Sequence, residues 1–204
     1  MNSKFKLSVF ITTCLTLLSL SSLAQDDIVL GQPGYVGSGC PSGSASATLS
    51  PDKKSLSLIF DGFIVEAGGE TRRRIARKSC NLAIPVRIPQ GLSISVIQVD
   101  YRGYNYLPRG GSAKFNAEYF FAGSQGPKYT KTFRGSLDDE YIIENALPIE
   151  AMVWSPCGED VNLRVNTSMT VRTNSRRSEA LSTVDSADFR SGIIYQLSWR
   201  ECEI

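Results

Sequence analysis

The stretch Val161-Asn162-Leu163-Arg164-Val165-Asn166-Thr167-Ser168-Met169-Thr170-Val171-Arg172 decides the fold class. Its odd-numbered residues, Val161, Leu163, Val165, Thr167, Met169 and Val171, are apolar or β-branched, and its even-numbered residues are all polar. A helix would scatter the two sets around its circumference, whereas a pleated strand sends alternate side chains to opposite faces. Residues 161–172 are therefore predicted as one long strand, buried on one face and solvated on the other.

The same period recurs on both sides of it. Leu82, Ile84, Val86 and Ile88 form one inward row, Ala113, Phe115, Ala117, Tyr119 and Phe121 another; Leu56, Leu58 and Phe60, and Ile193, Tyr195, Leu197 and Trp199, form two more. Pro85 cannot donate to a ladder, which predicts that its strand lies at an edge or is bulged. Between Ile94 and Tyr101 the parity breaks at Val96-Ile97, as an inserted residue would make it do. Ser50-Pro51-Asp52, Ala67-Gly68-Gly69, Pro89-Gln90-Gly91, Pro108 to Gly111, Gly123 to Pro127 and Pro156 to Gly158 punctuate these runs. The pattern predicts an antiparallel β-sandwich of about ten strands, with a β-barrel as the alternative. Only residues 178–189 could hold a short helix, and a loop suits them equally.

Upstream, Lys4 and Lys6 precede an apolar run from Leu7 to Leu20 that ends in Ser22-Leu23-Ala24. This is the layout of a secretory signal peptide with cleavage after Ala24, and the run is shorter than the ~20 residues of a membrane span. The expected organisation is residues 1–24 as signal peptide, 25–43 as a Gly-rich leader and 44–204 as a single domain whose first strand is Ser44 to Ser50. No transmembrane segment is expected in the mature chain, and the localisation is secreted or periplasmic. Of 22 basic and 20 acidic residues, removal of Lys4 and Lys6 leaves 20 against 20. That balance gives no reason to expect a nucleic-acid partner.

The mature chain keeps Cys40, Cys80, Cys157 and Cys202. Their wide spacing does not suit a zinc site, and an even count in an exported chain reads as two disulfides. Three connectivities are open. If neighbouring strands run simply up and down, Cys40 and Cys80 fall at one end of the sheet and Cys157 and Cys202 at one end, which favours Cys40–Cys80 and Cys157–Cys202; a crossover between sheets would exchange partners.

The chain has no histidine. Serine or cysteine hydrolase mechanisms that move a proton through imidazole are therefore excluded. Nor does any phosphate-loop, EF-hand or other motif point to a catalytic residue, a metal or a cofactor. Two carboxylates could still serve a glycosidase, with Asp138, Asp139, Glu140, Glu144, Glu159 and Asp160 available, but these read as acids in solvated turns between strands. Asp185 and Asp188 fall short of the oxygen set that calcium takes. The run Thr71-Arg72-Arg73-Arg74-Ile75-Ala76-Arg77-Lys78 reads as a solvated, charged hairpin loop; contact with an anionic glycan or lipid headgroup is its functional alternative. The densest set of recognition-type side chains is Tyr101-Arg102-Gly103-Tyr104-Asn105-Tyr106 with Arg109, since tyrosine offers flat amphipathic area and arginine a planar donor fork. Arg102, Tyr104, Asn105, Tyr106 and Arg109 are the candidate ligand-binding residues, although a strand's inward face would absorb some of the rings.

Five segments taken in order carry a family resemblance: Gly39-Cys40-Pro41-Ser42-Gly43-Ser44, Arg77-Lys78-Ser79-Cys80, Tyr101-Arg102-Gly103-Tyr104, Trp154-Ser155-Pro156-Cys157-Gly158 and Trp199-Arg200-Glu201-Cys202. With them the chain resembles the secreted domain-of-unknown-function family 4360, known from bacteria and fungi. The resemblance implies a small exported, cysteine-bearing domain and carries over no activity and no site residues. The expected function is thus a non-enzymatic exported module that binds a glycan or an extracellular protein, or contributes to a surface layer. The alternative is a histidine-free carbohydrate-active hydrolase.

Overall fold

The computed structural model describes residues 28–51, 55–184 and 193–202. In chain order the strands are β1 (Val29–Leu30), β2 (Gly34–Val36), β3 (Ala45–Leu49), β4 (Ser55–Phe60), β5 (Ile64–Ala67), β6 (Ile75–Arg87), β7 (Leu92–Leu107), β8 (Ser112–Phe121), β9 (Lys128–Arg134), β10 (Leu137–Ala146), β11 (Val161–Arg172), β12 (Ala180–Thr183) and β13 (Ile193–Glu201). They make two open antiparallel sheets rather than a barrel. The first runs β1-β6-β11-β8-β9, with β2 also on β6, and the second runs β3-β4-β13-β7-β12-β5, with β10 on the other edge of β7. The protein is a β-sandwich.

The stretch that decided the fold is β11, central in the first sheet between β6 and β8. Leu163, Val165, Thr167, Met169 and Val171 are all buried, as are Leu82, Ile84 and Val86 of β6 and the whole row from Ala113 to Phe121 of β8. From the second sheet Leu58, Phe60, Val65, Val99, Tyr101 and Leu107 enter the same core. An aromatic seam joins the sheets. Tyr101 meets Phe115 edge-on at 4.8 Å and stacks on Tyr129 at 5.4 Å, and Phe133 lies 4.6 Å from Tyr141.

Pro85 is instructive. Gly31 donates its N–H to the Pro85 carbonyl at 2.7 Å, so the nitrogen of Pro85 faces the same outer edge of β6. That edge is covered by β1 and β2, which break between Leu30 and Gly34, and the missing donor falls in the break. The expected bulge in β7 is also present: the ladder to β13 passes from Gln98↔Gln196 to Val96↔Leu197, leaving Ile97 as the extra residue.

Two expectations need correction. Ala45–Leu49 is not the first strand, because part of the Gly-rich leader already pairs with β6 as β1 and β2. Residues 178–183 form no helix: Ala180–Thr183 is a strand between β5 and β7, and 185–189 lie outside the described residues. The helical content of the described residues is two single 3-10 turns, Gly69–Thr71 and Ile149–Ala151.

Both disulfides form as expected, Cys40–Cys80 and Cys157–Cys202, with Cα atoms 5.4 and 6.0 Å apart. The geometry behind the first differs from simple up-and-down neighbours. β2 runs along the edge of β6 opposite residues 81–83, and Gly39 then donates to the Ser79 carbonyl, which sets Cys40 beside Cys80 within the same sheet. The second clasps the approach to β11 to the end of β13. Gly158 and Cys202 hydrogen-bond the carbonyls of Leu92 and Gly91 at the start of β7, each at 2.8 Å.

Candidate binding surface

Strand β7 carries the predicted residues, and its alternation sorts them. Tyr101, Gly103, Asn105 and Leu107 point into the core, while Arg102, Tyr104 and Tyr106 form a row on the outer face. Tyr106 is 42% exposed. Arg102 and Tyr104 are half-buried. Asn105 is fully buried, and its Oδ1 accepts the Ser182 hydroxyl at 2.7 Å from neighbouring β12. It ties β7 to β12 and has no place in a surface row. Arg109 also leaves the row. It stands in the turn after β7, where its carbonyl accepts the Asn174 amide at 3.1 Å.

The neighbour of the row is β10. In register, Asp138 lies opposite Tyr106, Glu140 opposite Tyr104, Ile142 opposite Arg102 and Glu144 opposite Asp100. Since Tyr141 and Ile143 turn inward, Asp138, Glu140, Ile142 and Glu144 share the outer face. These acids therefore belong to a strand that borders the tyrosines and not to turns between strands. The signal was available: Asp138-x-Glu140-x-Ile142-x-Glu144 alternates with Tyr141 and Ile143 at period two, but acids at three outward positions, Asp139 at an inward one and an apolar residue, Ile142, at the fourth outward one hide the strand from a reading led by apolar residues. Asp139, of the opposite parity, accepts the Glu140 N–H at 2.9 Å.

Tyr104 is anchored from both sides. Its hydroxyl donates to Asp138 on β10, and its N–H donates to Thr183 Oγ1 at 2.9 Å. The bond to the carboxylate, with lesser help from desolvation and the Asp138 charge, holds the phenol above the usual tyrosine value near 10.0. Beneath it, Gly103 lets the strands approach: a Cβ there would stand 2.3 Å from the Thr183 carbonyl and 2.6 Å from Tyr141 Oη, whose hydroxyl donates to that carbonyl at 2.7 Å. The result is a flat face on which a fixed phenol and a more exposed one lie between a guanidinium and a row of carboxylates.

Fold and surface define a disulfide-clasped β-sandwich with a polar, aromatic outer face. The chain belongs to the family described as Domain of unknown function (DUF4360), which matches residues 26–202. An "Uncharacterized secreted protein" of Arthroderma benhamiae is 34% identical over 169 residues, covering 82% of this chain and 69% of that one. The protein is secreted or periplasmic. Among solved structures, TmCBM61 in complex with beta-1,4-galactotriose is similar at TM-score 0.30 and 12% identity over 83% of this chain and 88% of that one. A family 11 carbohydrate-binding module from Clostridium thermocellum, in complex with a beta-1,3-1,4-mixed-linked tetrasaccharide, is similar at TM-score 0.24 and 10% identity over 83% of this chain and 87% of that one. These likenesses are too remote to carry a ligand across.

Proposed function

We propose that the protein is a non-enzymatic binding module and that the row Arg102, Tyr104 and Tyr106, bordered by Asp138 and Glu140, takes a neutral glycan. The observation that supports this most is the pairing of half-exposed phenol rings with charged planar groups on one rigid sheet face. A sugar ring is amphipathic. Its C–H face packs against an aromatic ring, and its hydroxyls both donate and accept, so carboxylates and a guanidinium within reach satisfy them in fixed directions. The ladder and the Tyr104 to Asp138 hydrogen bond hold these groups in place, which reduces the ordering cost of binding.

The test is a neutral-glycan array on the purified exported protein, followed by titration calorimetry and an assay for release of reducing sugar. Tyr106→Ala and Arg102→Ala are each expected to weaken binding about tenfold or more, with the melting temperature of Tyr106→Ala unchanged because Tyr106 is exposed. Binding that survives both substitutions would remove the surface from consideration. Release of reducing sugar, lost on replacing Asp138 or Glu140, would move the protein to the hydrolase class.

A further inference from the structure

The other sheet carries a second surface of opposite charge. Strands β1, β2, β6, β8, β9 and β11 hold nine lysine and arginine residues, of which seven, all but Lys78 and Lys131, have the outward parity, against one carboxylate, Glu118, which Lys128 already engages at 3.5 Å. Of the seven carboxylates on the strands of the second sheet, Glu66, Asp100, Asp138, Glu140 and Glu144 share its outer face, against Arg102 and Arg200. A balanced total thus conceals two faces of opposite sign.

Register shows how the basic face is laid out. One row across it reads Arg77, Thr170, Lys114, Thr132, and the next reads Ile75, Arg172, Ser112, Arg134. Arg77, Lys114, Arg172 and Arg134 are exposed, with no described carboxylate in ion-pair contact. Within each row the two cations stand two strands apart, roughly 10 Å, and successive rows are about 7 Å apart. Beside them runs a neutral row, Ser79, Ser168, Asn116 and Thr130, in which Thr130 donates to Asn116 at 3.0 Å.

Beyond Arg172 the face continues into loops that the fold locks together. Gly69 donates to the Arg177 carbonyl at 2.9 Å, Thr173 to that of Arg74 at 3.1 Å, and Asn174 to that of Arg109. Gly68 makes this approach possible: its φ is +77°, and a Cβ there would stand 2.1 Å from the Ser178 carbonyl. Arg72, Arg73, Arg74, Arg109, Arg176 and Arg177, from three separate segments, are thereby gathered at one end of the basic face. The arginine-rich run is therefore one margin of a larger surface, with its last two cations, Arg77 and Lys78, already in β6.

We infer that the outer face of the first sheet, with its arginine-bearing end, binds an anionic polysaccharide. This surface is independent of the tyrosine row. Spaced cations match regularly spaced acidic groups, and the Ser, Thr and Asn side chains between them offer donors and acceptors to sugar hydroxyls. Polysaccharide fits better than single-stranded nucleic acid or a lipid surface, because among the described residues this face presents no series of exposed aromatic rings on which bases would stack and no apolar cluster to enter a bilayer.

The experiment passes the purified exported protein over immobilised heparin, polygalacturonate and uncharged dextran in a salt series. Duplex DNA and anionic phospholipid vesicles are measured in parallel. Retention on heparin or polygalacturonate, falling steeply with salt and absent on dextran, is expected; which of the two retains it decides between sulfate and carboxylate as the acidic group. Arg77→Gln/Lys114→Gln/Arg172→Gln is expected to weaken binding about tenfold or more and to flatten the salt dependence. Arg73→Gln/Arg176→Gln, confined to exposed loops, gives the same direction should the sheet variant fail to fold. Absence of retention on both acidic matrices, retention untouched by both variant sets, or tighter binding to DNA or vesicles would each overturn the inference. Neutral-glycan binding through Tyr106 is unaffected by either result.

Discussion

Tyr104 shows how a surface residue acquires two partners and a shifted titration. Its folded-state pKa is raised by the Asp138 hydrogen bond, and that of Tyr129 by burial. A raised value means that the folded state keeps a proton the unfolded chain releases near pH 10; the associated stability is fully present below that pH and is lost as pH rises through the folded-state values. An alkaline titration followed by tyrosinate absorbance should show late-titrating tyrosines, and Asp138→Ala should return one of them toward the ordinary range. Asn105 makes the contrasting case. Asn105→Ala is expected to cost about 1–2 kcal/mol in denaturant unfolding, because Ser182 loses its acceptor inside the core, and to leave glycan affinity unchanged. Gly103→Ala should cost about 2–3 kcal/mol by overpacking against Thr183 and Tyr141. At this scale the candidate site was half legible. The segment from Arg102 to Tyr106 stood out by composition, and strict alternation from Tyr101 would have separated Asn105 from the two tyrosines. Asp138 as the partner of Tyr104 could not be read, since the contact depends on the register of strands 34 residues apart in sequence.

Among the elements, strands with an apolar inward row repeated several times were legible; β10, ten residues long but largely polar on its outer face, and the shortest strands were not. β6, β8 and β11 each span ten or more residues, so their period repeats several times before a turn interrupts it. β1 and β2 have two and three residues and β12 has four, too few for a period to be seen; they are strands because a long neighbour offers them a ladder. The first disulfide matters for that reason. Cys40–Cys80 holds a segment that backbone pairing alone secures weakly, so Cys40→Ala/Cys80→Ala is expected to cost about 2–5 kcal/mol. Hydrogen exchange should accelerate first along the β2-facing edge of β6, near Ala83, whereas β11 stays protected; uniform acceleration across the sheet would contradict this reading. Peptide mapping without reduction should recover the two linked pairs and no third species.

For the whole molecule, charge was the property that composition concealed most completely. The totals of 22 basic and 20 acidic residues gave no reason to expect a nucleic-acid partner and no sign of charge segregation, but alternation and sheet membership divide the charges between faces. Mass spectrometry of the exported protein should find Gln25 at its N-terminus, which removes Lys4 and Lys6 and leaves this division intact. The order of strands in the second sheet was equally hidden. β13, the last described strand in the chain, lies between β4 and β7 and holds those two earlier strands together. Time therefore enters the design. A chain that crosses a membrane as an unfolded thread delivers β4 and β7 early but cannot join them until β13 has followed. The late strand acts as a keystone: the ladder between β4 and β7 runs through it, and the Cys157–Cys202 bond can form only after β13 has arrived.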